Sequence, residues 1–208
     1  MARAFSPSEI LRMKKKEFAF LGEWLEAFGN PEQSGVWFVW GNSGNGKTSF
    51  LMQMCRELAR FGKVAYNALE EGTSKTVQDA IRRFGMDDLD GKMLFLCENM
   101  TELTERLARR KSPDFVIVDS FQYTMLSYKQ YIRFKEANKN KLIIFVSHAS
   151  CKMPMGRPAQ SVMYDASLKI WVEGYRAHSK GRYIGEKGYL DIWKKGALDY
   201  WGENVDND

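Results

Sequence analysis

The segment Gly41-Asn42-Ser43-Gly44-Asn45-Gly46-Lys47-Thr48 constrains this chain more than any other. It meets the pattern G-x-x-x-x-G-K-[ST] at every fixed position. A continuous apolar run, Val36 to Trp40, precedes it. Phe50, Leu51, Met54, Cys55 and Leu58 follow it with helical spacing. A buried strand, a glycine-rich turn and an amphipathic helix, in that order, make a concave nest. The glycines let backbone N–H groups turn inward around phosphate oxygens, and the amino end of the helix adds a positive dipole. The expected loop spans Gly41, Asn42, Ser43, Gly44, Asn45, Gly46, Lys47, Thr48 and Ser49. Lys47 is placed to reach the outer phosphates of ATP, and Thr48 to offer its hydroxyl to Mg²⁺.

A nucleotide site also needs a carboxylate at the end of a buried strand. Phe115-Val116-Ile117-Val118-Asp119 supplies one, with Asp119 expected to hold Mg²⁺ through water, because magnesium dehydrates reluctantly. The next residue is Ser120 rather than a glutamate, so a water-orienting carboxylate has to come from elsewhere. Val64 to Leu69 reads as a strand ending in Glu70-Glu71-Gly72. The carboxyl ends of parallel strands line the ligand crevice, so Glu70 and Glu71 are both candidates.

The remaining pattern alternates strand and helix. Helices are expected around Val77 to Phe84, at Leu103 to Leu107, and from a Ser127/Gln130 capping box to about Asn138. Further strands are expected at Met93 to Cys97 and Leu142 to Val146. Ser6-Pro7-Ser8-Glu9 opens the first helix, Phe18, Leu21, Leu25 and Phe28 then recur as its helical stripe, and Gly29-Asn30-Pro31 ends it. From about Ala166 the pattern changes, and Ser167 to Val172, Tyr189 to Trp193 and Leu198 to Trp201 read as strands joined by short turns. The expected architecture is an α/β three-layer sandwich: a mostly parallel sheet, helices on both faces, and an antiparallel hairpin edge.

At 208 residues the chain suits one domain with a substantial core. Hydrophobic residues at 44% and charged residues at 27% exclude disorder and coiled-coil rods. A net charge of +5 permits an anionic partner without requiring one. The three cysteines, Cys55, Cys97 and Cys151, form no CxxC pair, which speaks against structural zinc and for a reducing, cytoplasmic setting. No apolar stretch is long enough to span a membrane, and no signal peptide is evident.

The phosphate loop, the strand-end Glu70 and Glu71 and the later Asp119 together resemble the RecA-like P-loop ATPases, which include replicative helicases, strand-exchange recombinases and circadian-clock ATPases. The resemblance covers roughly residues 33–202, after an N-terminal helical segment at 1–32 and before a frayed acidic tail at 203–208. It implies a catalytic carboxylate at Glu70 or Glu71 and a polar sensor at His148 or Ser147. It also implies a Lys180-Gly181-Arg182 pair presented to a neighbouring subunit's nucleotide. The basic segment Ala149 to Ser161 is expected to be a loop, with Lys152 and Arg157 contacting single-stranded DNA. The implied activity is Mg²⁺-dependent ATP hydrolysis by a homo-oligomer acting on DNA. A nucleotide-gated scaffold or loader and a small-molecule kinase are the alternatives.

Overall fold

The computed structural model describes residues 3–202. The tail at 203–208 lies outside the described residues. The parallel part of the sheet is built from β1 (Gly35–Gly41), β2 (Val64–Ala68), β3 (Met93–Leu96), β4 (Phe115–Asp119), β5 (Leu142–Ser150) and β7 (Leu168–Glu173). To these are added β6 (Met153–Pro154), β8 (Arg176–Gly181) and β9 (Tyr189–Asp191). The strand order is β3-β2-β4-β5-β1-β7-β8-β9, with β6 paired to β5. The first six strands of that order run parallel, and β8 and β9 return antiparallel at one edge.

The apolar strands are buried on both faces, which is why they read as runs rather than as alternation. On one face lie α2 (Glu23–Phe28), α3 (Lys47–Leu58) and α4 (Lys75–Phe84), packing Phe50, Leu51 and Met54 against Val39, Ile117 and Ile144. On the other lie α5 (Met100–Leu107), α6 (Tyr128–Ala137) and α7 (Arg157–Asp165), packing Leu103, Tyr131 and Val162 against Phe38, Val116 and Phe145. The capping box at Ser127 and Gln130 forms as its spacing predicts, and so does the one at Ser6 and Glu9 that starts α1 (Pro7–Arg12). No helix among the described residues is long and apolar enough to cross a membrane.

Three local expectations are overturned. The Phe18–Phe28 stripe is not one helix. Glu17 bridges to Glu32, Phe18 N–H donates to Pro31 O at 2.9 Å, and only Glu23–Phe28 is helical. Phe18 and Phe20 are both buried with Ala19 exposed between them, a period of two, whereas Leu21 remains 65% exposed. Leu198–Trp201 is not a strand but the end of α8 (Lys194–Trp201), whose small residues Gly196 and Ala197 face inward while Leu198, Tyr200 and Trp201 point out. Ala149–Ser161 is not a continuous loop. β5 runs on to Ser150, β6 folds back on it, and α7 starts at Arg157, with Pro158 at a position that needs no N–H donor.

Candidate functional site

β1 delivers Gly41 to the carboxyl edge of the sheet beside Val172 and His148. A Cβ at Gly41 would lie 2.2 Å from Val172 O, so β7 can pack there only against glycine. The chain then turns through Gly44 and Gly46, both at positive φ, and enters α3 at Lys47. The loop is braced internally by Asn45. Its side-chain N–H donates to Ser43 O at 3.1 Å, and its side-chain oxygen accepts from Gly174 N–H at 2.8 Å. Gly174 and Tyr175 form the β7–β8 turn, and the Tyr175 ring sits beside Gly46.

A cleft of about 360 Å³ opens over this loop, lined by Lys47, Thr48, Glu70, Asp119, His148 and Tyr175 among others. Lys47 Nζ donates to Asn42 O at 3.0 Å. Burial lowers the pKa of its ammonium, with Asp119 and Glu70 working against that shift. Asp119 ends β4 in register with Ala68 of β2. Burial raises its pKa, Glu70 and Glu71 push in the same direction, and the Tyr66 hydroxyl and Lys47 oppose them. The Tyr66 hydroxyl donates directly to Asp119 Oδ2.

Glu70 is fixed through its backbone, since the N–H groups of Leu69 and Glu70 both donate to Asp119 O, at 2.7 and 3.2 Å. Its Oε2 lies 2.9 Å from His148 Nε2. Glu71 turns the other way, accepting from the Ser74 and Thr76 hydroxyls at the start of α4. Ser147 is buried and faces inward. It accepts from Gln122 Nε2 at 2.7 Å and donates to His148 O at 2.8 Å. Gln122 Nε2 also reaches Met155 O at 3.0 Å, which ties the end of β5 to the chain entering α7.

The structure therefore gathers the loop residues, Glu70, Glu71, Asp119 and His148 around one cleft. It does not bring Lys180, Arg182, Lys152 or Arg157 there. Lys180 on β8 is in register with Lys169 on β7, and Arg182 N–H donates to Ser167 O at 3.1 Å. Both sit toward the opposite end of β7 from Val172, about 10 Å along the strand for Lys180 and about 17 Å for Arg182 at ~3.3 Å per residue. Lys152 and Arg157 are exposed on the β5–β6 turn and the first turn of α7. Sequence reasoning missed Tyr66 and Asn45's bond to Gly174. A polar residue inside the apolar strand Val64–Ala68 was the available sign for Tyr66.

Two solved structures share this architecture. The flagellar accessory protein FlaH from Methanocaldococcus jannaschii superposes with a TM-score of 0.59 at 13% identity, covering 85% of this chain and 92% of that one. A KaiC-like protein from Pyrococcus horikoshii OT3 gives 0.55 at 15% identity, covering 80% and 94%. The fold is RecA-like. Sequence comparison adds a match to the DNA repair protein RadA of Streptococcus pneumoniae (strain ATCC BAA-255 / R6), 30% identical over 87 residues. That match takes in 42% of this chain and a fifth of RadA's length. No protein-family model matches. The RecA-like sheet accounts for the site's layout, because the phosphate loop, Glu70, Asp119 and His148 all stand at the carboxyl ends of neighbouring parallel strands.

Proposed function

We propose that this protein binds and hydrolyses ATP with Mg²⁺, as an oligomer working in DNA metabolism. The observation that carries the reading is the convergence of Lys47, Thr48, Asp119 and the Glu70–His148 pair on one cleft over a helix amino end. Amides of the loop cradle the phosphates, and Lys47 exchanges Asn42 O for a phosphate oxygen.

Among the described residues no group of three or more His, Cys, Asp or Glu side chains could hold a metal by itself. Thr48 and Asp119 instead offer one hydroxyl and one carboxylate, hard oxygen donors that suit Mg²⁺ when phosphates and water complete the shell. When bound, the ion offsets charge on the phosphates. Glu70, held by Asp119 O and facing His148, orients the attacking water. Glu71 is committed to the hydroxyls of α4, which favours Glu70 for the role. His148 holds the Glu70 carboxylate and senses the terminal phosphate. A second cleft, lined by Gln53, Arg83, Phe84 and Trp193, adjoins the first through Ser49 and Tyr175 and receives the base.

Lys180 and Arg182 lie too far along the sheet to serve their own cleft, so they act on the nucleotide of an adjacent copy. The same distance supports the second reading, a nucleotide-gated loader that turns over slowly when single. Lys152 and Arg157 contact single-stranded DNA from the α7 side.

The test is ATP turnover with and without single-stranded DNA for the wild type, Lys47→Ala, Glu70→Gln and Glu71→Gln. DNA-stimulated turnover lost in the first two variants and kept in the third is the expected result. Turnover that DNA leaves unchanged would favour the loader. Phosphate release that depends on a small acceptor molecule would favour a kinase instead.

A further inference from the structure

On the antiparallel edge, away from the phosphate cleft, the register aligns Trp171, His178 and Tyr189 across β7, β8 and β9. Three aromatic side chains therefore stand in one row on one face of the sheet. Trp201, from the last turn of α8, closes the row, with its ring 5.3 Å from that of His178. These groups line a cleft of about 380 Å³ that also carries Lys152, Lys180 and Lys187.

Among the described residues the only carboxylate lining this cleft is Glu173, already engaged by the Trp171 indole N–H at 3.0 Å, while Lys187 Nζ lies 3.4 Å from Asp191 Oδ2. His178 Nε2 is buried and has no hydrogen-bond partner among the described residues. Burial, with Arg176 and Lys180 nearby, lowers the pKa of that imidazole, while Glu173 and Asp191 work against the shift.

The lining chooses among ligand chemistries. An acidic peptide would match the lysines but leave the rings unused. A quaternary ammonium would suit the rings but meet three like charges. A planar base carrying a phosphate satisfies both, and the volume suits one such unit.

We propose that this cleft seats one nucleotide of a single-stranded nucleic acid, its base against Trp201 and His178 and its phosphate at Lys152 and Lys187. The assignment rests on the DNA-linked reading above and gives that reading a location. It also ties the site to the phosphate loop through two hydrogen bonds. The Trp201 indole N–H donates to Gly174 O at 3.1 Å, and Gly174 N–H donates to Asn45 of the loop.

The test titrates the full chain with a labelled oligothymidylate of about 12 nucleotides, within the range one such site occupies. Anisotropy and tryptophan quenching are the readouts, and calorimetric ATP binding serves as the control for folding. Trp201→Ala and Lys187→Glu are each expected to weaken strand binding about tenfold or more, with ATP affinity unchanged. Trp201→Phe should retain binding. Lys187→Gln should reduce the slope of log affinity against log salt by about 0.7.

Wild-type protein that binds no strand would overturn both this site and the DNA-linked reading. Strand binding equal in all variants, with the salt slope unchanged, would overturn the site alone. Thymidine monophosphate that displaces the oligomer at equal nucleotide concentration would show a free-nucleotide pocket and overturn the strand assignment.

Discussion

The parallel strands and the antiparallel annex of β8, β9 and α8 hold together in different ways. β1, β4 and β5 are apolar almost end to end and sealed between two helical layers. The annex is made of polar sequence such as Arg176-Ala177-His178-Ser179-Lys180-Gly181 and relies on specific pairs. Arg176 reaches Asp191 at 2.6 Å and lies over the Tyr189 ring, and Tyr175 meets Trp193 edge to face at 5.1 Å. The first region gains stability from area removed from water, which tolerates no gaps. The second gains positional definition from side-chain partners and keeps its outer rings available. The contrast separates a half held by buried apolar area from a half held by specific side-chain partners.

That contrast can be broken by experiment. Ile144→Ala, at the fully buried centre of β5, should cost about 2–5 kcal/mol in denaturant unfolding. A loss as small as that of an annex surface residue would erase the distinction. Lys47→Ala should lower ATP turnover by about 10²–10³-fold while leaving the unfolding midpoint near that of the wild type. Asn45→Ala removes the acceptor for the buried Gly174 N–H, a bond between the loop and the β7–β8 turn, and should cost about 1–3 kcal/mol in the same unfolding assay. Leu198→Ala, on the exposed side of α8, should change stability by no more than about 0.5 kcal/mol.

Asp119→Asn sharpens the comparison from the other side. The raised pKa of Asp119 means the folded state holds its proton to higher pH than the unfolded state does. Ionising it therefore destabilises the fold progressively as pH rises above the unperturbed 3.8. The variant should melt at a slightly higher temperature than the wild type at neutral pH, with the gap closing as the solution is acidified toward that value. A gap that widens on acidification would contradict the assignment.

Much of the rigid half was legible in the chain because its signals are local. Lys47 and Thr48 sit inside one eight-residue motif, and Asp119 ends one apolar run. Glu70 and Glu71 were both legible as positions, but the contacts that distinguish them come from His148, Ser74 and Thr76. Tyr66 and Asp119 are 53 residues apart, and Asn45 and Gly174 are 129 apart, so no local pattern announces either bond. The annex misled for a physical reason. Leu198, Tyr200 and Trp201 are apolar yet face outward, so hydrophobic content there marks an exposed surface and not a buried strand. Phe18 misled through competing periodicities, since it satisfies a helical spacing with Leu21 and Leu25 and a two-residue spacing with Phe20.

The lysine of the phosphate loop does not wait as a bare cation. Its ammonium already rests on the carbonyl of Asn42. An arriving molecule must outcompete that internal acceptor, and a neutral polar group offers nothing better than the bond it would displace. A phosphate oxygen bearing formal charge makes a contact roughly twice as strong. Only a charged oxygen would therefore offer Lys47 a stronger contact than the one it already holds.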